Sequence, residues 1–417
     1  MTELPDFRSR TFLLDHLQKT MDFYHPRGLD PSGGFFTTFD ADGTVLDRHA
    51  RSLVHTCRFL FNEVNAYLEF GRADYRDGAR HALDFLVSQH RVPETKGYRW
   101  TFRFDDGRRS AEDASNITYG LSFVILAHAM AIKAGFVEAK TWLSEIVGTM
   151  ETHLFDAGDG LYADQSDATF TNIAAYRGQN ANMHACEAMI AAYEATGERW
   201  YVDRAETIAS AVSLRLAGLS PLDQVWEHYR ADWSIDLAYN KDDHSDGYRP
   251  WGFLAGHQTE WAKLLLMLDR HKPMDWHVPR ARALFDRAMA LSWDGERGGM
   301  FYSYGPDKAL YDRSKQQWVH AETLAAAAHL AVRTGDQAYW DWYDRLWRYA
   351  WDHLVDHRHG GWYRALNEDD SIAIALRGSG LRSRSARAKR NTCGALTRGS
   401  QRFGARCRSR SMAKASS

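Results

Sequence analysis

Residues 53–87 read LVHTCRFLFNEVNAYLEFGRADYRDGARHALDFLV, and this stretch predicts two consecutive helices. Apolar side chains recur at helical spacing on both sides of residues 71–74, where Gly-Arg-Ala-Asp breaks the pattern. The same order of helix, break and helix returns along the chain, with breaks at 133–135, 195–198 and 333–336. A unit that recurs at a fixed period indicates a repeat architecture, so the 417 residues are not divided into several unrelated domains.

A glycine followed by aromatic residues marks the boundary between units. Such clusters begin at Gly34, Gly97, Gly160, Gly299 and Gly361, which are 63, 63, 139 and 62 residues apart. The long step is about two periods, and residues 226–229 (Trp-Glu-His-Tyr) lie near its middle, so there are six clusters. Most of them are followed by an acidic or glycine turn and a short polar run, which is typical of a hairpin loop.

The number of helices predicts a ring. One helix at about 10–25 precedes the first hairpin, five pairs follow, and a sixth inner helix after the hairpin at 360–370 would complete six pairs. We therefore predict an all-α fold, an (α/α)6 barrel with first-of-pair helices inside, second-of-pair helices outside and short β-hairpin loops at one end. Residues 1–370 would form this catalytic domain.

The composition changes where the last inner helix should stand. Residues 371–417 contain ten Arg, two Lys and no acid, a charge of +12, whereas the other 40 basic and 54 acidic residues sum to -14. A segment so poor in large apolar side chains cannot pack as an inner helix. We expect this helix to be missing or replaced, with the ring open between helices at 10–25 and 337–356. The Arg/Ser-rich tail is interpreted as frameshifted, as plainly disordered, or as an RNA-binding arm.

Other sequence features bear on location and ligand class. No stretch of 18 apolar residues and no secretory signal is present, so we expect a cytoplasmic protein. The four cysteines have no CxxC spacing, which argues against a zinc site or a disulfide framework. The 15 Trp, 19 Tyr and 20 Phe either fill a large core or offer flat faces to a sugar ring.

Polar residues collect at the predicted starts of the inner helices, which meet at one mouth of the ring. Histidine and glutamate lie three residues apart, on one helical face, as His184/Glu187 and His257/Glu260. Two such pairs at one phase of a repeat, among Arg, Asn, Gln and Trp, predict a site for hydroxyl groups. A His-x-x-Glu pair also occurs in di-iron bundles, but the neighbouring residue types do not match such a centre. No metal and no cofactor are therefore predicted, and no nucleotide-binding motif occurs.

At these residues the sequence resembles the N-acylglucosamine 2-epimerase family, and within it the mannose isomerase and aldose–ketose isomerase branch. The resemblance is carried by residues 177–188 (RGQNANMHACEA) and 250–261 (PWGFLAGHQTEW), together with 239–242 (YNKD). It extends over about residues 10–370. It implies an (α/α)6 barrel, the fold that the repeat predicts independently.

The resemblance also implies the chemical roles of individual residues. His257 would be one of two acid–base histidines, with Glu260 orienting it or assisting proton movement. His184 and Arg58 would hold sugar hydroxyls and the developing oxyanion. The family carries its second acid–base histidine in an Asp-Tyr-His segment of the last inner helix, and this sequence has no histidine after His359.

The predicted substrate-binding residues are those that line the mouth beside the acid–base pair. Asn180 would bind hydroxyls and Trp318 would line the sugar face, and the remaining candidates are Glu187, Glu322 and Tyr119. The expected partner is a small-molecule sugar, with neither nucleic acid nor membrane, bound by a monomer or homodimer.

The implied reaction is the interconversion of a free aldose and ketose, of the mannose-to-fructose type, through a cis-enediol. A neutral histidine suits the removal of a weakly acidic C–H proton. Three alternatives stay open. They are an N-acylglucosamine 2-epimerase, a glycoside hydrolase that uses paired carboxylates, and an inactive sugar-binding toroid that lacks the second acid–base histidine.

Overall fold

The computed structural model describes residues 4–243 and 246–374, and eleven α-helices are its main elements. They are α1 Arg10–Tyr24, α2 Leu53–Phe70, α3 Ala73–Phe85, α4 Thr118–Lys133, α5 Ala139–His153, α6 Gln179–Thr196, α7 Arg199–Ser210, α8 Ala255–His271, α9 His277–Ser292, α10 Gln317–Thr334 and α11 Gln337–Tyr349. The prediction of one helix followed by five pairs is confirmed.

The helices form two concentric layers. The first-of-pair helices α2, α4, α6, α8 and α10 contact one another in succession, and each second-of-pair helix packs on its own partner. Helix α4 is buried on nearly every side, from Thr118 to Ala131, as expected for an inner helix with apolar residues all round. In contrast, α11 buries one face only. The predicted inner and outer positions are therefore correct.

Glycines end the inner helices where the sequence breaks the pattern. Gly71, Gly197 and Gly335 follow α2, α6 and α10 with φ values of 69°, 76° and 71°. Each is in the left-handed conformation that glycine adopts without steric cost. Their N–H groups donate to carbonyl groups in the last helical turn, which satisfies acceptors that would otherwise lack a partner.

Short antiparallel strands occupy one end of the helical ring. They are β1 Ala50–Ser52, β2 Thr101–Asp105, β3 Arg108–Asp113, β4 Asn116–Ile117, β5 Phe155–Asp156, β6 Leu161–Tyr162, β7 Gln165–Ser166, β8 Arg177–Gly178, β9 His228–Tyr229, β10 Phe253–Leu254, β11 Ser303–Tyr304, β12 Leu310–Asp312, β13 Lys315–Gln316, β14 Ala365–Leu366 and β15 Ile372–Ile374. The orders are β1-β2-β3, β10-β11-β12 and β13-β14-β15, with the pairs β4-β7, β5-β6 and β8-β9. The predicted hairpin loops are thus present.

The strands fix where each inner helix begins. Strands β1, β4, β8, β10 and β13 each run directly into an inner helix. The first N–H of that helix donates to a carbonyl of the following cluster, at distances of 2.9, 2.9, 3.3, 3.1 and 3.1 Å. The acceptors occupy one equivalent position in the repeat, and they are Trp100, Asp164, Glu227, Tyr302 and Arg364. Side chains at equal distances from these helix starts therefore lie at equal depth in the ring.

The outer layer is closed between its first and last helices, so the expected opening between helices 10–25 and 337–356 is wrong. The rings of Phe12 and His16 lie 5.2 and 5.3 Å from the ring of Trp347, measured between centroids. The Trp362 indole N–H donates to His16 at 2.8 Å, and Arg8 Nη2 lies 2.5 Å from Asp344 Oδ2. The Trp347 contacts join α1 directly to α11, because both are outer helices, and Arg8 and Trp362 add contacts from just outside the two helices.

The interpretation of the tail lies beyond what the structure describes. Of residues 371–417, only 371–374 belong to the described part, so the frameshifted or disordered tail and the missing sixth inner helix stay predictions. Among the described residues, no helix is both long enough and apolar enough to cross a bilayer.

Candidate active site

The polar residues that the sequence predicts for the site share a register on the inner helices. Counted from the first helical residue, Arg58, His184, Glu260 and Glu322 are all sixth, on α2, α6, α8 and α10 respectively. The remaining sixth position, on α4, is Phe123. Because the strands align the helix starts, these side chains come from one level of the ring. The repeat thus builds one site from residues that are far apart in sequence.

His257 is held by a carboxylate from a neighbouring repeat, and that carboxylate is itself held by an amide. Its Nδ1 atom lies 2.9 Å from both Oε1 and Oε2 of Glu227 and 2.9 Å from Nε2 of Gln179. The Trp261 indole donates to Gln179 Oε1 at 2.7 Å, which makes that oxygen the acceptor and the amide nitrogen a donor to Glu227 Oε2 at 3.0 Å. This network assigns the proton of neutral His257 to Nδ1. The lone pair is then on Nε2, where a general base requires it.

His184 has the same arrangement with a different acid. Its Nδ1 lies 3.1 Å from Glu187 Oε2, one helical turn later on α6. The rings of Tyr119 and Phe123 each lie 4.9 Å from the imidazole, between centroids. Burial among these groups lowers the pKa of His184 below its usual value, although Glu187 opposes the shift. The ring is therefore neutral near pH 7, with Nε2 available to a ligand.

Arg58 brings a positive charge that has no acidic partner within residues 4–243 and 246–374. Its Nη2 donates to the Tyr119 hydroxyl at 3.3 Å, and its guanidinium carbon lies 4.7 Å from the centre of the Phe123 ring. The buried Nε atom has no hydrogen-bond partner in the described part of the chain. A partly buried guanidinium in this state is suited to an anion or a developing oxyanion.

Three carboxylates gather beneath these groups around one lysine. Lys263 Nζ lies 2.6 Å from Glu322 Oε2, 3.4 Å from Glu187 Oε1 and 3.9 Å from Glu260 Oε1. Burial, with the nearby charge of Glu322, raises the pKa of Glu260 well above its usual range. For Glu187 burial acts in the same direction, but Lys263 and the bond from His184 outweigh it and hold its pKa below the usual range.

The distances among three possible ligand side chains bear on whether the site suits a metal ion. His184, Glu187 and Glu260 each offer one ligand atom, and these atoms lie within 4.8 Å of one another. The ammonium of Lys263 already lies 3.4 Å from Glu187 and 3.9 Å from Glu260, the two carboxylates that such an ion would need. This lysine therefore supplies the positive charge among the acids. The metal-free site stays a prediction.

Asn180 and Trp318 come from the second positions of α6 and α10. The buried Oδ1 atom of Asn180 has no hydrogen-bond partner among the described residues, so an acceptor faces the interior unsatisfied. The Trp318 ring lies 5.1 Å from that of His257. An ideal Cβ built on Gly256 would come within 2.4 Å of Trp318 Cζ3, so the glycine makes room for the indole. Both residues fit the sugar-binding roles predicted for them.

The loop before β10 covers one side of the site. Arg249 Nη2 lies 2.6 Å from Asp164 Oδ2, and both side chains are buried. The guanidinium carbon of Arg249 lies 3.9 Å from the centre of the Tyr176 ring. The next residue back, Tyr248, has its ring 5.7 Å from that of Tyr119. The loop is thereby fixed against the rim of the ring.

The structure corrects the predicted partner of His257 and adds residues that the sequence analysis missed. The acid in contact with His257 is Glu227, rather than Glu260 three residues away. Glu227 was recognised only as part of an aromatic cluster, and the available signal was the acidic residue inside the Trp-Glu-His-Tyr run. Lys263 was missed as well, although it interrupts an otherwise apolar run from Trp261 to Leu266.

A family model described as N-acylglucosamine 2-epimerase (GlcNAc 2-epimerase) matches residues 34–380 of this chain. The chain is 45% identical over 367 residues to the D-mannose isomerase of Marinomonas mediterranea, which covers 88% of the chain and 92% of that relative. Most of the length of both proteins is therefore comparable.

Solved structures give the same result. One described as the crystal structure of D-mannose isomerase matches with a TM-score of 0.87 and 43% identity, covering 90% of this chain and 95% of the other. The structure of cellobiose 2-epimerase from Bacillus thermoamylovorans B4167 matches with a TM-score of 0.78 over 90% and 96% of the two chains. Its identity of 17% means that this second likeness concerns the fold alone.

Proposed function

This chain belongs to the N-acylglucosamine 2-epimerase family, and from that membership we propose that it is an aldose–ketose isomerase that interconverts D-mannose and D-fructose. The observation that carries the proposal is the 45% identity, over 88% of the chain, to a D-mannose isomerase. The configuration of the His257 side chain supports it, because the reaction begins with removal of a carbon-bound proton.

In the first step, His257 Nε2 takes the proton from C2 of the open-chain aldose. The electron pair of the broken C2–H bond forms the C1=C2 double bond, and the carbonyl oxygen O1 becomes negative. The hydrogen bond from Nδ1–H to Glu227 stabilises the imidazolium that forms, since the carboxylate lies 2.9 Å away. Arg58, whose charge has no acidic partner among the described residues, stabilises the enediolate oxygen.

In the second step, the proton moves from the imidazolium to C1. The hydroxyl proton of O2 passes to O1, and the electron pair that remains on O2 forms the C2=O2 carbonyl of the ketose. Glu260 is suited to relay this proton, because burial and the nearby charge of Glu322 raise its pKa, which favours uptake of the O2 proton before it passes to O1. All atoms and charges are then balanced, and the enzyme is returned to its starting state.

This route needs one base on one face of the sugar. Epimerisation at C2 would need a proton delivered to the opposite face, and hence a second acid–base group there. His257 and His184 each carry a carboxylate on Nδ1, so the choice of the isomerase over the N-acylglucosamine 2-epimerase rests on the 45% identity to a D-mannose isomerase.

The test is to incubate the full chain with D-mannose and follow the products by NMR. We expect D-fructose, and we expect D-[2-²H]mannose to leave part of its deuterium at C1, since one base carries the proton between two adjacent carbons. Formation of D-glucose, or turnover of N-acetylmannosamine alone, would show an epimerase instead. Saturable binding of mannose without any product would show the inactive sugar-binding toroid.

A further inference from the structure

The ammonium of Lys263 connects three inner helices below the catalytic level. It stands on α8 and contacts Glu187 of α6 at 3.4 Å, Glu260 of α8 at 3.9 Å and Glu322 of α10 at 2.6 Å. The side chain of Lys263 is 11% exposed, so water does not screen these charges well. A lysine at this depth is rare unless it is paired, which indicates that the pairing is needed.

Two of the three acids connect the lysine with groups used in the reaction. Glu187 accepts from His184 through Oε2 while its other oxygen, Oε1, faces Lys263. Glu260 lies three residues after His257 and has no hydrogen bond that competes for its carboxyl group among the described residues. The lysine therefore acts on the site through carboxylates.

We propose that Lys263 is a positioning residue of the active site: its buried ammonium is a built-in cation that holds Glu187, Glu260 and Glu322 together, and thereby fixes His184 and Glu260 for the reaction. The proposal rests on the proposed isomerase function, since it assigns Lys263 a part in that same site. It differs from a packing role, because the charge and its position are both required.

The physical reason is the balance of charge in a dry space. Three carboxylates at these distances repel one another, and each would turn towards water or take up a proton if the ammonium were absent. The charged and titratable groups around the cluster are Arg58 on α2, Tyr119 on α4, His184 on α6, His257 on α8 and His329 on α10. Only Lys263 forms an ion pair with all three acids in the described part of the chain.

The experiment compares Lys263→Met and Lys263→Arg with a matched surface control, Lys133→Met. Lys133 Nζ lies 2.7 Å from Glu194 Oε2, so this control also breaks a lysine–glutamate pair, but at the C-terminal ends of α4 and α6, away from the helix starts that form the site. We expect Lys263→Met to lower kcat at least tenfold with KM changed less than threefold, because the lysine does not touch the sugar. Lys263→Arg should retain more of kcat than Lys263→Met does, and Lys133→Met should retain all of it.

Chemical rescue separates position and charge from simple packing. In Lys263→Ala the vacated space should accept ethylammonium, and kcat should rise with its concentration, whereas ethanol of similar size should have no effect. Thermal unfolding is measured in parallel, so that rates are compared only where every variant is folded. Near-normal kcat in Lys263→Met, or equal effects of ethanol and ethylammonium, would overturn the proposal.

A second readout keeps the two proposals apart. Turnover of mannose by the unaltered chain tests the isomerase function, whereas the Nδ1–H proton signal of His184 reports the bond to Glu187 without turnover. We expect Lys263→Met to shift or broaden this signal and Lys133→Met to leave it in place. An inactive parent chain would refute the isomerase, and an unmoved His184 signal would refute the role of Lys263.

Discussion

The Nδ1 atom of His257 lies 2.9 Å from each of the two carboxylate oxygens of Glu227, although the residues belong to different repeats. Glu227 comes from the hairpin that accepts the first N–H of α6, and its side chain crosses to the third residue of α8. The carboxylate of Glu227 thus contacts His257 from a hairpin outside α8. Because this contact occupies Nδ1, the opposite ring nitrogen, Nε2, can act on a substrate.

Substitution of the base itself should abolish turnover. In His257→Ala we expect kcat to fall by at least about 10²-fold, the lower limit for loss of a positioned acid–base group. The assay is formation of fructose from mannose under saturating conditions. The control is His271→Ala, because His271 also pairs with a glutamate, Glu194 at 3.0 Å, but stands at the far end of α8. More than a tenth of the original kcat in His257→Ala would exclude this base.

Glu227→Gln should lower kcat by about 10²-fold while the fold is retained, because the amide can still accept from Nδ1–H but no longer balances the charge of the imidazolium. A matched control is Glu206→Gln, which alters a histidine–glutamate pair of 2.8 Å between α7 and α9. That pair lies in the outer layer, so its loss should leave kcat unchanged. Equal losses in both variants would indicate damaged packing rather than a catalytic pair.

Arg58→Lys keeps the positive charge but loses the planar guanidinium and its second donor position. We expect kcat/KM to decrease by about 10²-fold, since the enediolate would lose a preorganised donor. Tyr119→Phe removes only the 3.3 Å contact to Arg58 and should have a much smaller effect. If the lysine variant turned over mannose as fast as the unaltered chain, Arg58 would serve packing against Phe123 alone.

Gly256→Ala tests the sugar-facing wall without changing any polar group. The added methyl would lie 2.4 Å from Trp318 Cζ3, so the indole must move, and overpacking of this kind costs about 1–3 kcal/mol. We expect a higher KM for mannose and a lower unfolding temperature. Gly148→Ala in α5 is the control, because nothing lies within 4 Å of its added Cβ. That change should stabilise the helix by up to about 1 kcal/mol and leave KM unchanged.

A prediction about pH concerns Glu63, which lies outside the site between α1, α2 and α3. Burial raises the pKa of Glu63 to about 7 from its usual 4.5, although a 3.0 Å contact to His25 opposes the shift. The folded chain therefore binds more protons than the unfolded chain between these two values. It follows that the free energy of unfolding falls as pH rises from about 4.5 to about 7, by on the order of 3 kcal/mol.

Glu63→Gln should remove that part of the pH dependence, because an amide does not titrate. Urea unfolding at pH 5 and pH 8 measures the difference directly. Glu69→Gln, on the same helix but paired with Arg10 at the surface, should leave the dependence as it was. A slope that persists in Glu63→Gln would assign it to other groups.

The fold could be predicted from the sequence because glycine residues mark where one helix of each repeat ends and the next begins. Gly71 and its equivalents at 197 and 335 break the helical pattern and take up a left-handed conformation at those places. The predicted gap between α1 and α11 was wrong for a physical reason. The contact of Phe12 with Trp347 joins two outer helices directly. The prediction was based on the number of helices, and it assumed that the ring closes only when a sixth inner helix is present.

The site could be predicted in part, because its residues occupy equal positions on successive helices. The contact between His184 and Glu187 followed from their spacing, whereas the predicted pairing of His257 with Glu260 did not form, and His257 stands third on α8 while His184 stands sixth on α6. The pairing of His257 with Glu227 could not be predicted in this way, since the contact spans 30 residues and depends on how a hairpin folds over the next helix. The roles of Asn180 and Trp318 in substrate binding stay predictions, which the substitutions above test.

The closure of α1 on α11 also determines when the ring can form during synthesis. Phe12 leaves the ribosome long before Trp347, its ring partner in the finished wall. At about 5–20 residues per second, the 335 residues between them take roughly 17 to 67 seconds to make. During that time α11, the outer neighbour of α1, has not yet been synthesised, while the pairs from α2 onward can assemble in order. The first helix made is thus among the last to gain its full set of contacts.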